Sequence, residues 1–545
     1  MLFYKTTNPF LNFVRRPFST RSEKNYMDVL SRYKVDWNPS NKNIVLTQII
    51  KEYISPPKLA ATAHFLARKF DSNIALYSVA TPLEDPLGKK KTLLAKFYSE
   101  AVFRRLDRIF LAFGGKVIYR NTDNYGDQQL INLHFRKIKN EIKSKEDVLN
   151  IAFGNIAVGE LIYDTYLRFR NKATVDINDE FLYEIIRCGL NIYFNALNTL
   201  EKYTVKALVT TYTTYIHHGV IVKICLDRNI PVYSIGSYDS IVHHVLKEFP
   251  GHMNNHQKFP KLFSKLENKK ERLEQAKLLF EKRFKGQVDS STAYMKSSSF
   301  NKEHNKDLDE IDWSNTVVIL AHCFFDSPHG YRGLIFPDFY EWMTYTLNIL
   351  SEDLELTILV KQHPNGVEGN DEVFQELKVK YSGKKNINFI DKKTSNLQIL
   401  NSKPKAILTA YGTPTLEFAY FGFPVICIYD NPFIAYNFSF TANSIDEYRV
   451  LLKGIRTLSI KPDKDKILEC YYMQHLYFMD GTKDYFLQMN DYKNKVNSEA
   501  FLNEFTPKMN PEYFNHLDET IRKGFKIVHW EQKQLIEEQT ISSNA

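Results

Sequence analysis

Residues 354–430 constrain the fold more than any other part of this chain. Short runs rich in Ile, Val and Leu occupy 356–360, 387–390, 406–408 and 425–429, and helical patterns separate them. Apolar runs that short, with no polar alternation, suit strands covered on both faces in a parallel sheet. Strand and helix in alternation predict a doubly wound α/β domain. Ligands of such sheets bind beyond the carboxyl ends of the strands. Unusual polar residues fall at those ends: Lys361, His363 and Pro364 after one run, Tyr411, Gly412 and Thr413 after another.

The second of these loops has a physical reading of its own. Gly412 permits a tight turn and the close approach of a ligand. Thr413 suits a helix N-cap and Pro414 the first helical position. A helix starting there aims its free N–H groups at the strand ends, which predicts an anion site. Glu417 lies one turn in, on the face of Thr413. It either accepts from a sugar hydroxyl or simply favours the helix N-terminus.

Four pieces occur in order: Lys361-Gln362-His363-Pro364, Thr394-Ser395, Gly412-Thr413-Pro414-Thr415-Leu416-Glu417, and Phe421-Gly422-Phe423-Pro424-Val425. Together they resemble the donor-binding half of GT-B glycosyltransferases, which have two Rossmann-like domains. More narrowly, they are similar to the capsule polysaccharide biosynthesis group. That group includes the bacterial β-Kdo transferases and, more distantly, bacterial sialyltransferases and CDP-glycerol glycerophosphotransferases. The resemblance covers the donor half and is faint elsewhere. It implies a nucleotide-sugar donor as substrate, no obligatory metal or other cofactor, and a glycan or glycolipid acceptor. It does not single out the donor.

A chain of 545 residues is too long for one core and suits two domains with additions. With 43% hydrophobic and 25% charged residues, the composition is that of a globular protein. The net charge of +9 comes without a dominant basic block, which argues against nucleic acid and suits anionic donors near an anionic membrane. Cys188, Cys225, Cys323, Cys427 and Cys470 are scattered without metal spacing and read as free thiols of a reducing compartment. No window reaches the roughly 18 apolar residues of a membrane span. The first 27 residues are basic and aromatic but lack the apolar core of a secretory signal. They read as a transit-like segment, a tether on the cytoplasmic membrane face, or a plain lead-in. The expected location is cytoplasmic, peripheral on the inner face of the cell membrane.

These patterns divide the chain into a lead-in (1–40), an N-terminal Rossmann-like acceptor domain (41–238), a charged and partly disordered helical linker (239–313), a C-terminal Rossmann-like donor domain (314–460) and final helices (461–545). The acceptor domain opens with a strand, the Ser55-Pro56-Pro57 turn and an Ala-rich helix. Within 153–176, Glu160, Asp164 and Arg168 recur at helical spacing beside apolar Ile162, Tyr163, Tyr166 and Leu167. That spacing fits either a solvated ion-pair face or a partly buried catalytic carboxylate. Strand 207–210 runs into Thr211–Thr214, His217, His218 and Gly219, the composition of a site at a strand's carboxyl end. The linker reads as one charged helix over 262–285 followed by a polar stretch. In the donor domain, strand 317–321 runs into His322, Asp326, His329 and Arg332, with Gly330 and Gly333. These residues read as donor-binding, with an Asp/His/His metal site as a second reading. The final helix, 511–538, suits a return to the first domain or a solvated cap.

The combined expectation is an inverting glycosyltransferase of cell-surface polysaccharide synthesis. The departing phosphate needs charge stabilisation, for which Lys361, His363 and the Gly412-Thr413 turn stand on one side and His322 and Arg332 on the other. The acceptor hydroxyl needs a base, in the order Asp164, Glu160, His217. A polyol-phosphate transferase, a nucleotide-sugar 2-epimerase and a non-catalytic glycan-binding paralogue are the alternatives.

Overall fold

A computed structural model of the chain describes residues 19–50, 52–80, 83, 107–235, 242–247, 251, 256–287, 298–300, 303–330, 333–364, 366, 369–428, 431, 433–477 and 498–542. Two six-stranded sheets carry the fold. The first contains β1 (Asn43–Ile49), β2 (Asn73–Ser78), β3 (Lys116–Arg120), β6 (Thr204–Thr210), β7 (Val232–Ile235) and β8 (Val242–Val245), in the order β3-β2-β1-β6-β7-β8. A separate hairpin pairs β4 (Ala152–Phe153) with β5 (Ile156–Ala157). The second contains β9 (Thr316–Leu320), β10 (Thr357–Lys361), β11 (Ile387–Ile390), β12 (Ala406–Leu408), β13 (Val425–Ile428) and β14 (Phe440–Ala442), in the order β11-β10-β9-β12-β13-β14. With the hairpin set aside, both orders are that of a Rossmann fold. The molecule is therefore of GT-B type, with two Rossmann-like domains. Strand order reverses between β1 and β6 and between β9 and β12, so each domain opens a crevice beyond the carboxyl ends of those strands.

The apolar runs make strands because successive side chains enter opposite cores. Val317 and Ile319 join the core on one face of the second sheet, while Val318 and Leu320 join the other. Ile44 and Leu46 are separated from Val45 in the same way in the first sheet. Full burial of each such side chain is worth about 1.5–3 kcal/mol. Two edge strands were not legible. β8 pairs antiparallel with β7, and β14 extends the second sheet from Phe-Thr-Ala, a segment without an apolar run. Edge pairing satisfies backbone groups whatever the side-chain pattern.

Three expectations change. Within the supposed lead-in, Arg21–Leu30 is a helix closed by a capping box, Thr20 Oγ1 accepting from Glu23 N at 3.1 Å. It packs on the final helices: Ser22 Oγ donates to Asn503 Oδ1 at 2.6 Å, and Tyr33 Oη to Asp518 Oδ1 at 2.7 Å. Residues 1–18, which carry the tether reading, lie outside the described residues. Second, the linker forms two helices, Phe259–Ser264 and Lys269–Arg283, parted at left-handed Asn268. Third, the part of the polar stretch that is described packs on the second domain. Phe300 is buried, and Asn305 bonds Gln398 and Thr394. The final helix, Pro511–Ser542, returns to the first domain, where Phe525 stacks on Phe65 with ring centroids 4.6 Å apart. Among the described residues, no helix is long and apolar enough to cross a membrane.

Candidate functional site

The loops after β9, β10 and β12 converge at the second sheet's crevice. His322 follows β9 and lies against Phe339 and Tyr411, with ring centroids 5.0 and 4.6 Å away. Its Nε2 accepts from Tyr411 N at 3.3 Å and lies 3.5 Å from Thr409 Oγ1. A ring that accepts there carries its proton on Nδ1 and is neutral. Lost hydration, with His363 nearby, holds its pKa down at about 3. His322 therefore brings no positive charge to a departing phosphate; it braces the Tyr411-Gly412 turn. Glycine suits 412 because a Cβ would stand 3.0 Å from Thr409 Oγ1 and 3.3 Å from His322 Nε2, a tight fit. Close packing, not a left-handed backbone, is the reason.

The side-chain cap predicted at Thr413 does not form. Thr413 is itself helical, at φ −55° and ψ −24°, and caps nothing with its side chain. The helix it precedes, Pro414–Tyr420, has only 7 residues. The Thr413 hydroxyl instead serves Glu417. Glu417 is buried and paired with Arg283 from the end of the linker helix, Oε1 to Nη1 3.3 Å, with side chains only 6% and 3% exposed. It is not placed to take a sugar hydroxyl in this arrangement. Burial raises its pKa against the pull of Arg283 and Lys361. Lys361 also turns inward: its Nζ donates to Asn396 Oδ1 at 2.5 Å. Burial lowers its pKa to about 8, although Glu417 and Asp391 pull it up. Arg283, Glu417, Lys361 and Asn396 thus make a buried polar row beneath the crevice.

Thr394 and Ser395 are likewise structural here. Ser395 Oγ accepts from Leu397 N at 3.1 Å and starts the helix Asn396–Ser402, while Thr394 Oγ1 accepts from Asn305 Nδ2 at 3.0 Å. His363 and half-buried Pro364 remain at the end of β10. Lost hydration lowers the pKa of His363, partly opposed by Asp326 and assisted by Lys361. Asp326 is exposed. Arg332 lies outside the described residues.

The facing crevice of the first sheet is lined from the loop after β6. Tyr215 takes a left-handed backbone at φ 60°, an uncommon strain for an aromatic residue. Its ring stacks on Tyr212 and His217, at centroid distances of 6.1 and 5.7 Å. Gln48 holds the loop in place: it accepts from Thr210 Oγ1 at 2.6 Å and Thr211 N at 2.7 Å, and bonds His218 Nδ1 at 2.7 Å. His217 is buried and lies in that ring stack. Ser327 hydrogen-bonds both tyrosines from the other domain, and the charges of Asp326 and of Arg168, on the helix Gly159–Arg170, act on them. Burial, with Asp326 next, lifts the pKa of Tyr212 to about 12.

Asp164 does not stand free on that helix. Its Oδ1 is 2.6 Å from His329 Nδ1, and its Oδ2 accepts from His329 N at 3.2 Å. Burial raises the pKa of Asp164 against the pull of His329. Burial lowers that of His329, but the charge and hydrogen bond of Asp164 outweigh it, and the net direction is up. Both oxygens of the buried Asp164 are engaged by His329 while the pair stands. Glu160 is half-exposed, 3.9 Å from Lys223. His322, Asp326 and His329 have diverged, and among the described residues no three His, Cys, Asp or Glu side chains group as metal ligands. Sequence reasoning missed Tyr215, Ser327 and Asp338. Only Asp338 carried a local signal, an Asp directly before the helical Phe-Tyr-Glu.

No protein-family model matches the chain. No curated protein matches it either. Among solved structures it is similar to Staphylococcus aureus MnaA with UDP, at 11% identity and TM-score 0.24, over 79% of this chain and 90% of that one. A glycosyltransferase from Rickettsia africae matches at 12% identity and TM-score 0.22, over 90% and 98%. The wall teichoic acid polymerase TagF matches at 10% identity and TM-score 0.18, over 86% and 93%. Likenesses this distant carry no argument about activity.

Proposed function

We propose that the chain is an inverting glycosyltransferase that moves a sugar from a nucleotide-activated donor to a glycan acceptor of a cell-surface polysaccharide. One observation supports this reading above the others. The strand ends of β9, β10 and β12 gather His322, His363 and the Tyr411-Gly412 turn in one domain, and from there Ser327 hydrogen-bonds Tyr212 and Tyr215 of the other, on which the charge of Asp326 also acts. The donor phosphate is assigned to His363 and the backbone of the Tyr411–Thr413 turn, which His322 keeps rigid. A neutral His363 stabilises the departing charge by donating a hydrogen bond. The proton acceptor is assigned to Asp326 rather than Asp164, because Asp326 is the exposed carboxylate between the two strand-end clusters. Arg168 supplies positive charge on the acceptor side. Closure of the domains excludes water, which competes with the acceptor. A nucleotide-activated donor implies a cytoplasmic reaction, and the basic residues 1–18 would meet the membrane beside a lipid-linked acceptor.

The test is nucleotide release from CMP-, CDP-, UDP- and GDP-activated donors, with and without a glycan acceptor. Release that requires acceptor supports transfer. Sugar conversion without acceptor makes the chain an epimerase, and CMP release from CDP-glycerol makes it a polyol-phosphate transferase. Binding without turnover makes it a glycan-binding module.

A further inference from the structure

The helix Gly159–Arg170 belongs to the first domain, yet its buried face is fastened to the second. The Asp164–His329 pair crosses the domain boundary, with side chains 2% and 6% exposed. One residue earlier, Tyr163 Oη donates to Asp338 Oδ2 at 2.6 Å, while Asp338 Oδ1 caps the helix Phe339–Leu350 by accepting from Glu341 N at 2.8 Å. Lys145 Nζ bonds Glu341 at 2.5 Å and Thr174 at 2.8 Å. The turn that follows the helix is docked as well. Ala173 joins the second domain's core, and left-handed Gly369 (φ 90°) sits so close that a Cβ there would be 3.2 Å from Asn171 Cβ.

We propose that this helix is a releasable clasp that holds the two domains closed, with Asp164–His329 as its catch. The inference does not depend on which donor or acceptor the cleft takes. The pair is dry only because the domains are together; parting them hydrates both groups. A buried ion pair gains little net energy over its hydrated state, but losing one partner strands the other charge. Such a contact is strong when made and cheap to exchange for water, as a catch must be. Its second feature points the same way. His329 Nε2 is buried without a hydrogen-bond partner in the closed arrangement. Opening returns that nitrogen to water, so closure carries a standing cost and the interface is not a permanent weld. Domain interfaces within one chain resemble transient ones in any case.

The charges facing His329 set the pH response. Asp164 and Glu160 lie on the clasp helix, Asp338 lies on the second domain, and Lys223 approaches Glu160 and Asp164 from the helix Tyr215–Asp227. The acidic groups favour the imidazolium in the closed state, while an open His329 titrates near its ordinary value of about 6.5. Closure therefore takes up a proton. It is fully supported below that value and weakens as pH rises through the raised one.

The test places spin labels at exposed Leu133 and Val379, one on each domain, after Cys188→Ser removes the one cysteine that is not buried. Pulsed dipolar spectroscopy then reads the interdomain distance. The expected result is a single short distance near about pH 6, with a longer population growing toward about pH 9. Asp164→Asn and His329→Gln should lower the closed-to-open ratio at least about tenfold and remove the pH response. Tyr163→Phe should lower the ratio less and keep the response. Should the catch variants fail to fold, Tyr163→Phe and the unaltered chain's pH series decide the matter. One unchanged distance across pH and in every folded variant overturns the clasp.

Discussion

Lys361 and Glu417 look like ligand groups in the sequence and lie inside the second domain in the structure. Their energetics can be measured directly. Lys361 has a folded pKa of about 8, below its unfolded value of 10.5. Between these values the unfolded chain binds more protons, so stability should rise with pH in that window; below it, the buried charge is a constant cost. The expected rise is about 2 kcal/mol before tyrosine ionisation intervenes near about pH 10. Urea unfolding at intervals through this range checks it, and Lys361→Met should flatten the curve. Glu417→Gln removes the carboxylate that faces the buried Arg283 guanidinium. It should cost about 3–5 kcal/mol of stability and leave nucleotide affinity in the surviving folded protein nearly unchanged, as calorimetric titration would show. A large loss of affinity at unchanged stability would return Glu417 to the ligand. At the crevice the pattern inverts. His363→Ala should lower turnover by about 100- to 1000-fold with little change in the unfolding midpoint. Asp326→Asn should abolish transfer while nucleotide still binds. If Asp326→Asn keeps transfer, the proton acceptor lies elsewhere in the cleft.

Among the elements, the helix Phe339–Leu350 shows how one side chain serves two structures. Asp338 caps it and also accepts from Tyr163 of the other domain. Asp338→Ala loses a cap worth about 1 kcal/mol and takes the Asp338 carboxylate from the buried Tyr163 phenol, which keeps Thr174 Oγ1 at 3.5 Å, at about 1–3 kcal/mol more. The sum, about 2–4 kcal/mol, should appear as a lower denaturant midpoint. Asp338→Asn keeps an oxygen acceptor for each partner in turn and should lose less. Equal losses in the two variants would show that the negative charge, not the hydrogen bonds, carries the stability. The final helix makes a related point. It is amphipathic in the sequence, and its apolar face is spent on the first domain, through Tyr513, Phe514, Leu517, Ile521 and Phe525.

At the scale of the whole molecule, the domains meet through a face rather than only through the linker. Gly369 is the sharpest probe of that face. Its backbone is left-handed and its neighbours Asn171 and Phe325 crowd it, each with an atom 3.2 Å from an added Cβ. Gly369→Ala should cost about 1–3 kcal/mol and lengthen the interdomain distance, because the methyl group meets the other domain. Unchanged distance with reduced stability would confine the effect to the local turn.

The sequence by itself determined the strands, the βαβ alternation and the loops at the strands' carboxyl ends. It could do so because these are local properties: burial on both faces writes an unbroken apolar run, and right-handed crossovers leave few topologies for such runs. The edge strands β8 and β14 escaped because their pairing is between backbones and needs no apolar signature. The fate of each polar side chain also escaped. Asp164 meets His329 across 165 positions, Glu417 meets Arg283 across 134, and Lys361 meets Asn396 across 35. Nothing in a local pattern says whether a carboxylate at helical spacing will face water, a substrate or a distant cation. Only tertiary packing settles that, because hydration withdrawn from a charge must be replaced by whichever partner the fold brings within reach.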